Sequence, residues 1–152
     1  MGSFLEEDKD KASVLKADKP DINQDGRMVD IVANYQSMTL EFAIRRIDRK
    51  FKVYSSDKAL DLYVCYDGIE PVGNCELFSK GNLAKIEDFD IIEMHQRKGF
   101  GSYVIKRLLK VCHDNGIGEA YLVTDHDDTA KDMYLKCGFH LVGHRKELMF
   151  HL

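Results

Sequence analysis

The chain is expected to fold as one mixed α/β domain, a mostly antiparallel sheet flanked by helices, and three observations carry that expectation. Before residue 52, apolar side chains recur twice at helical spacing: Met28, Ile31, Val32 and Tyr35, then Leu40, Ala43, Ile44, Ile47 and Phe51. The period then drops to two, as Leu60, Leu62, Val64 and Tyr66 alternate with Asp61, Tyr63 and Cys65. Beyond Ile92 the pattern runs helix, strand, helix, strand, strand, which suits helices covering one sheet.

Each element follows from local signals. Residues 1–26 are polar, rich in both charges and broken by Pro20 and Gly26. They predict a partly ordered N-terminal segment with one short strand around Ser13 to Lys16, ahead of a domain spanning 27–152. Asp67-Gly68 signals a hairpin, because both central positions of a type I′ turn need positive φ. The return strand is expected from Ile69 to Phe78, a polar turn from Ser79 to Asn82, and a third strand ending at Ile91-Ile92. Val104, Ile105, Leu108, Leu109 and Cys112 make one helical face, closed by Asn115-Gly116. Ala120 to Thr124 reads as a short buried strand. Thr129 can cap a helix whose inner side carries Ala130, Met133, Tyr134 and Cys137, with Gly138 as its stop. Phe139 to Val142 and Glu147 to Leu152 read as a closing pair of strands, and the apolar end from Leu148 could continue a sheet across a homodimer.

Composition narrows the function classes. The 152 residues are 44% hydrophobic and 32% charged, with a formal net charge of −4 that argues against a broad nucleic-acid surface. No apolar run approaches the ~18 residues of a membrane span. The first residues lack the basic and then apolar order of a signal peptide, so a cytoplasmic location is expected. Cys65, Cys75, Cys112 and Cys137 sit in apolar stretches and read as packed thiols in a reducing compartment. Asp21 to Gly26 begins like a calcium loop, but its twelfth position is Val32 and Pro20 discourages an entering helix. It reads as a turn before a helix. Cys137, His140 and His144 are loosely spaced like zinc ligands but lack a fourth, so no metal is expected.

The informative stretch runs from Ile86 to Ser102. A strand enters a short turn, and Gly99-Phe100-Gly101 with the adjacent cations Arg97 and Lys98 opens a long helix. The first amides of a helix have no partner within it, and its dipole adds partial positive charge there. Glycine lets a ligand approach the backbone without a Cβ in the way. Such a site suits a pyrophosphate. A dinucleotide fingerprint would need a third glycine where Val104 stands, and the P-loop pattern is absent.

Gln96-Arg97-Lys98-Gly99-Phe100-Gly101 resembles the Q/R-x-x-G-x-G/A motif of the GNAT superfamily of acyl-CoA-dependent N-acetyltransferases. A second block, from Asp127 to Phe139, is similar to that family's N-x-x-A-x-x-x-Y-x-x-x-G-F pattern. The likeness covers about residues 60–143. It implies a GNAT-like domain with splayed central strands and acetyl-CoA as cosubstrate. The pantetheine arm would pair with Ile91, Ile92 and Glu93, and the pyrophosphate would meet the turn of Gln96 and the amides from Arg97 to Ser102, including Lys98, Gly99, Phe100 and Gly101. Tyr134 occupies the position that commonly protonates the departing thiolate. Asp127 stands where the family often has Asn, and an ionised carboxylate accepts but cannot donate.

The implied reaction moves an acetyl group to an amine of a small molecule, peptide or protein. The amine must be neutral to attack, so a base is needed. Glu87 is the first candidate, with Asp90 and Glu93 as competitors; strand alternation puts Glu87 on one face with Phe89 and Ile91. Two other readings share the fold: a non-catalytic acyl-CoA-binding regulatory module, and a transferase toxin acting on charged tRNA, which would want a basic face.

Overall fold

The computed structural model describes residues 11–125 and 130–143. Its elements are β1 (Ala12–Lys16), α1 (Pro20–Asn34), α2 (Leu40–Ser56), β2 (Leu60–Asp67), β3 (Glu70–Lys80), β4 (Leu83–Ile91), a 3-10 turn (Glu93–His95), α3 (Phe100–Asp114), β5 (Glu119–Leu122) and α4 (Ala130–Lys136). The strands lie side by side in chain order. The first three pairings are antiparallel: short turns join β2 to β3 and β3 to β4, while β1 pairs with β2 across the intervening helices α1 and α2; β4 and β5 are parallel, and α3 is the crossover that a parallel pair requires. Among the described residues this is a single α/β domain with a mixed five-stranded sheet and four α-helices.

Alternation along the strands sorts the two faces. Leu62 and Val64 turn toward α1, while Tyr63 and Cys65 turn toward α3, where Val72, Cys75, Leu77, Ile86, Val104, Ile105 and Leu108 form the buried core. Cys65, Cys75 and Cys112 are buried and Cys137 half-buried, all four unpaired. Burial, and then the charge of Asp67, pushes the Cys65 thiol up to about 12, so it packs as a neutral group.

Several local expectations are corrected. The first helix begins at Pro20, not near Met28, so the calcium-like stretch lies inside a helix rather than in a turn. Proline suits a first helical position, where its missing N–H loses nothing. Tertiary contacts then hold the polar first half: Tyr66 donates to Asp25 at 2.7 Å, and Asn74 donates to the Gly26 carbonyl at 3.2 Å. The hairpin turn centres on Gly68-Ile69, one residue later than expected, and only Gly68 is left-handed (φ 62°), which is the type II′ requirement. β5 is half-exposed rather than buried, because among the described residues only β4 flanks it. Phe139–Val142 lie outside any strand. The Thr129 cap, Asp127, His144 and the strand predicted from Glu147, with its dimer edge, fall outside the described residues.

Candidate active site

β4 leaves its parallel neighbour half-way along. Leu83–Ile86 pair with Glu119–Leu122, and there the pairing stops. From Glu87 to Ile91 the strand stays paired with β3 but has no strand on its other side among the described residues. Ile92 turns its N–H to β3, 2.8 Å from the Val72 carbonyl. Ile91 therefore presents its backbone to the open side. Its carbonyl accepts from Gln96 Nε2 at 2.9 Å, which ties the strand end to the following turn.

That turn is shaped by two left-handed residues, Arg97 (φ 63°) and Gly99 (φ 92°). A non-glycine residue in this region is uncommon and strained, and such outliers concentrate at functional sites. α3 starts at Phe100 with no side chain capping it, and its ladder begins with Tyr103 N–H on the Gly99 carbonyl, 3.1 Å. The amides of Phe100, Gly101 and Ser102 thus precede the first intrahelical bond. Arg97 and Lys98 are exposed beside them. His95 is buried beneath, its Nε2 3.3 Å from Glu70 and its ring edge-on to Phe100 at 6.2 Å. A Cβ on Gly101 would come 2.9 Å from Met133 Sδ, so this glycine also lets α4 close on α3. Tyr134, next along α4, stands edge-on to Phe139 and packs against the core.

Between the end of α1 and the open end of β4 lies a groove of about 800 Å³. It brings Asp90, Ile91, Ile92, Glu93 and Gln96 together with Val32 and Tyr35. Glu87 does not line it. Two residues of β4, Asp88 and Phe89, stand against Cys75 of β3, so a bulge interrupts alternation, with Asp88 left-handed (φ 45°). Glu87, opposite Glu76, is therefore on the α2 side, not on the face of Phe89 and Ile91 as alternation implied. There it pairs with Lys85, whose ammonium also lies 5.9 Å from the Tyr121 ring.

Behind the groove, a polar layer sits under α1 and α2. Arg46 meets Asp30 at 3.1 Å and Asp88 at 3.7 Å; Lys50 meets Asp88 and, at 3.5 Å, Glu76. Tyr54 donates to Glu76 at 2.7 Å, and Asn34 donates to Asp90 at 3.1 Å. Burial raises the carboxyls of Asp30, Glu76 and Asp90 above their usual range. Asp88 is held low by bonds from Glu76 and Lys50 that outweigh its own burial. Asp90 is the member of this layer that reaches the groove.

None of Asn34, Arg46, Lys50, Tyr54 or Glu76 was singled out in the sequence. A signal was present: Arg46, Lys50 and Tyr54 share the helical rows of buried Ala43 and Ile47, and a charge on an apolar row needs a partner.

Gly73 sets how closely β3 approaches the β4 backbone at Asp90 and Ile91. A Cβ there would lie 2.7 Å from the Asp90 carbonyl oxygen and 2.5 Å from the Ile91 side chain. Gly73→Ala is expected to destabilise the fold by about 1–3 kcal/mol, since the obstructing atom is backbone. Denaturant unfolding measures it; an unchanged midpoint would mean β4 yields freely at the bulge.

A sheet that parts beside a glycine-turned, uncapped helix start is an acyltransferase type of fold. The chain belongs to the acetyltransferase (GNAT) family, which it matches over residues 29–139. It is 35% identical over 116 residues to the uncharacterized N-acetyltransferase CgeE of Bacillus subtilis; the match covers 72% of this chain and 44% of that protein. Among solved structures, an aminoglycoside acetyltransferase from an uncultured soil metagenomic sample, in complex with sisomicin, superposes with a TM-score of 0.75 at 17% identity, covering 95% of this chain and 98% of that one. Glucosamine-6-phosphate N-acetyltransferase from Arabidopsis thaliana gives 0.69 at 18%, covering 92% and 99%. At such identities the structures speak for the fold alone. Among the described residues no helix is long and apolar enough to cross a membrane, and no group of three His, Cys, Asp or Glu is placed to hold a metal.

Proposed function

We propose that this chain transfers an acetyl group from acetyl-CoA to an amine. One observation carries the reading: the edge of β4 that has no partner strand beyond Ile86 among the described residues leads through one short turn into the uncapped amides of α3. An extended arm can add to such an edge as a strand would, and a pyrophosphate suits such amides. Ile91, Ile92 and Glu93 would border the arm, and Gln96 to Ser102 the pyrophosphate. The known activities of the structural relatives, on an aminoglycoside and an amino sugar phosphate, are compatible with an amine acceptor here.

The residue roles follow from proton traffic. An acceptor ammonium gives up one proton before attack and a second as the amide forms; one of the two is balanced on sulfur and the other enters solvent. Asp90 receives the first, in place of Glu87, because Asp90 opens into the groove and its raised pKa suits a base better than an ion-paired carboxylate. Tyr134 protonates the departing thiolate and regains its proton from water.

Charge reversal tests the phosphate end. Arg97→Glu with Lys98→Glu is expected to weaken acetyl-CoA and CoA by about tenfold or more, which is 1.4 kcal/mol per decade. S-acetylpantetheine, which lacks the pyrophosphate, should lose nothing, and thermal stability should hold because both side chains are exposed. Equal acetyl-CoA affinity in the folded double variant would refute the placement. Amine-dependent thiol release by the parent protein tests transfer itself; binding without release would leave an acyl-CoA-binding module.

A further inference from the structure

Exposed apolar side chains stand on two sides of the groove beside Asp90, among polar ones such as Gln36 and Gln96. α1 contributes Val32 and Tyr35, 40% and 41% exposed, and the turn after β4 contributes Met94, 73% exposed. Single exposed apolar residues are ordinary on a protein surface. Three of them converging on one cavity beside a half-buried carboxylate form a lining, and about 800 Å³ lies within the range of small-molecule sites.

The charge of that lining is one-sided. Asp90 and Glu93 are its carboxylates, and no Lys, Arg or His lines it among the described residues. The nearby cations of α2, Arg46 and Lys50, are engaged by Asp30, Glu76 and Asp88. A phosphate or carboxylate on the acceptor would lie against two carboxylates with no countercharge among the described lining residues, and would shed its water without a partner there. Repeated cationic centres also fit poorly, since the described lining offers two carboxylates and one of them, Glu93, is exposed.

Resting on the acetyl-transfer reading, we infer that the acceptor is a monoamine on an apolar or aromatic body that carries no phosphate or carboxylate. Its ammonium meets Asp90, and its body lies along Val32, Tyr35 and Met94. Tyr35 and Val32 thereby act as specificity residues on the α1 side of the groove, across from the strand end, Ile91 to Glu93, that would border acetyl-CoA.

The test compares four acceptors with the full chain: 2-phenylethylamine, phenylalanine, glucosamine-6-phosphate and spermidine. Phenylalanine keeps the amine and ring of the first and adds only a carboxylate. We expect kcat/KM for 2-phenylethylamine to exceed each of the others by about tenfold or more. Tyr35→Ala and Val32→Ala should each raise its KM several-fold without changing acetyl-CoA affinity. Preference for phenylalanine, the sugar phosphate or spermidine overturns the inference, as does an unchanged KM in both variants. No turnover of 2-phenylethylamine by protein that binds acetyl-CoA also overturns it. Failure to bind acetyl-CoA is a different result: it removes the transfer reading itself, and this inference with it.

Discussion

Asp90→Asn is expected to lower amine acetylation near neutral pH by about 10²–10⁴-fold while leaving acetyl-CoA binding intact, the usual range for loss of a positioned base. The substitution keeps the shape and still accepts the bond from Asn34. It removes a charge that the fold holds at a disadvantage. Burial raises the Asp90 carboxyl; the Asn34 bond opposes that, Asp88 adds to it, and Arg46 and Lys50 oppose it. The sign for activity is direct: a base works only when ionised, so the parent's rate should fall as pH drops through the raised Asp90 pKa. The variant should lack that limb and recover partly at high pH, where solvent deprotonates the amine.

Stability should move the other way. A carboxyl whose folded pKa is raised binds its proton more tightly in the native state. Its contribution is therefore present below the ordinary carboxylate range, and lost as pH rises through the raised value. Asp90→Asn removes that loss, so its melting temperature at neutral pH should equal or exceed the parent's. Impaired activity with undiminished stability marks a group retained for chemistry. Glu87→Gln is the matched control, for which little loss is expected because Glu87 is paired with Lys85 outside the groove. Should Glu87→Gln lose activity and Asp90→Asn keep it, the base is Glu87.

Tyr134→Phe should cut turnover by about 10²-fold or more where thiolate protonation limits the rate. The ring is kept, so the edge-on contact with Phe139 and the neighbouring seat of Met133 against Gly101 should survive, and acetyl-CoA binding with them. Single-turnover thiol release separates this step from binding. An unchanged rate would return Tyr134 to packing alone and pass the proton to water.

Period and turn chemistry made most of the fold legible. The two-residue alternation of 60–66 became β2, the row of Val104, Ile105, Leu108 and Cys112 became the buried face of α3, and Asn115-Gly116 closed it, with Gly116 left-handed (φ 73°). Polar stretches were less legible, because α1 owes its first half to contacts such as Tyr66 with Asp25, which no local pattern encodes.

The candidate site divides in the same way. The turn from Gln96 to Ser102 could be found in the chain because its parts are consecutive, and the backbone supplies the donors. That is what the sequence by itself determined: the family's signature and the glycine-turned helix start that is proposed to seat a phosphate-bearing group. Which carboxylate faces the groove between α1 and β4 was decided only by tertiary structure. Glu87 and Asp90 are three residues apart on one strand, and alternation would set them on opposite faces. The bulge at Asp88 places both toward the α1–α2 side. There Lys85 takes one and the groove receives the other. A bulge arises from how two strands register against each other, and Asn34, Arg46 and Lys50 reach Asp88 and Asp90 from helices 38 or more residues away in sequence, so these contacts exist only once the sheet and helices have packed.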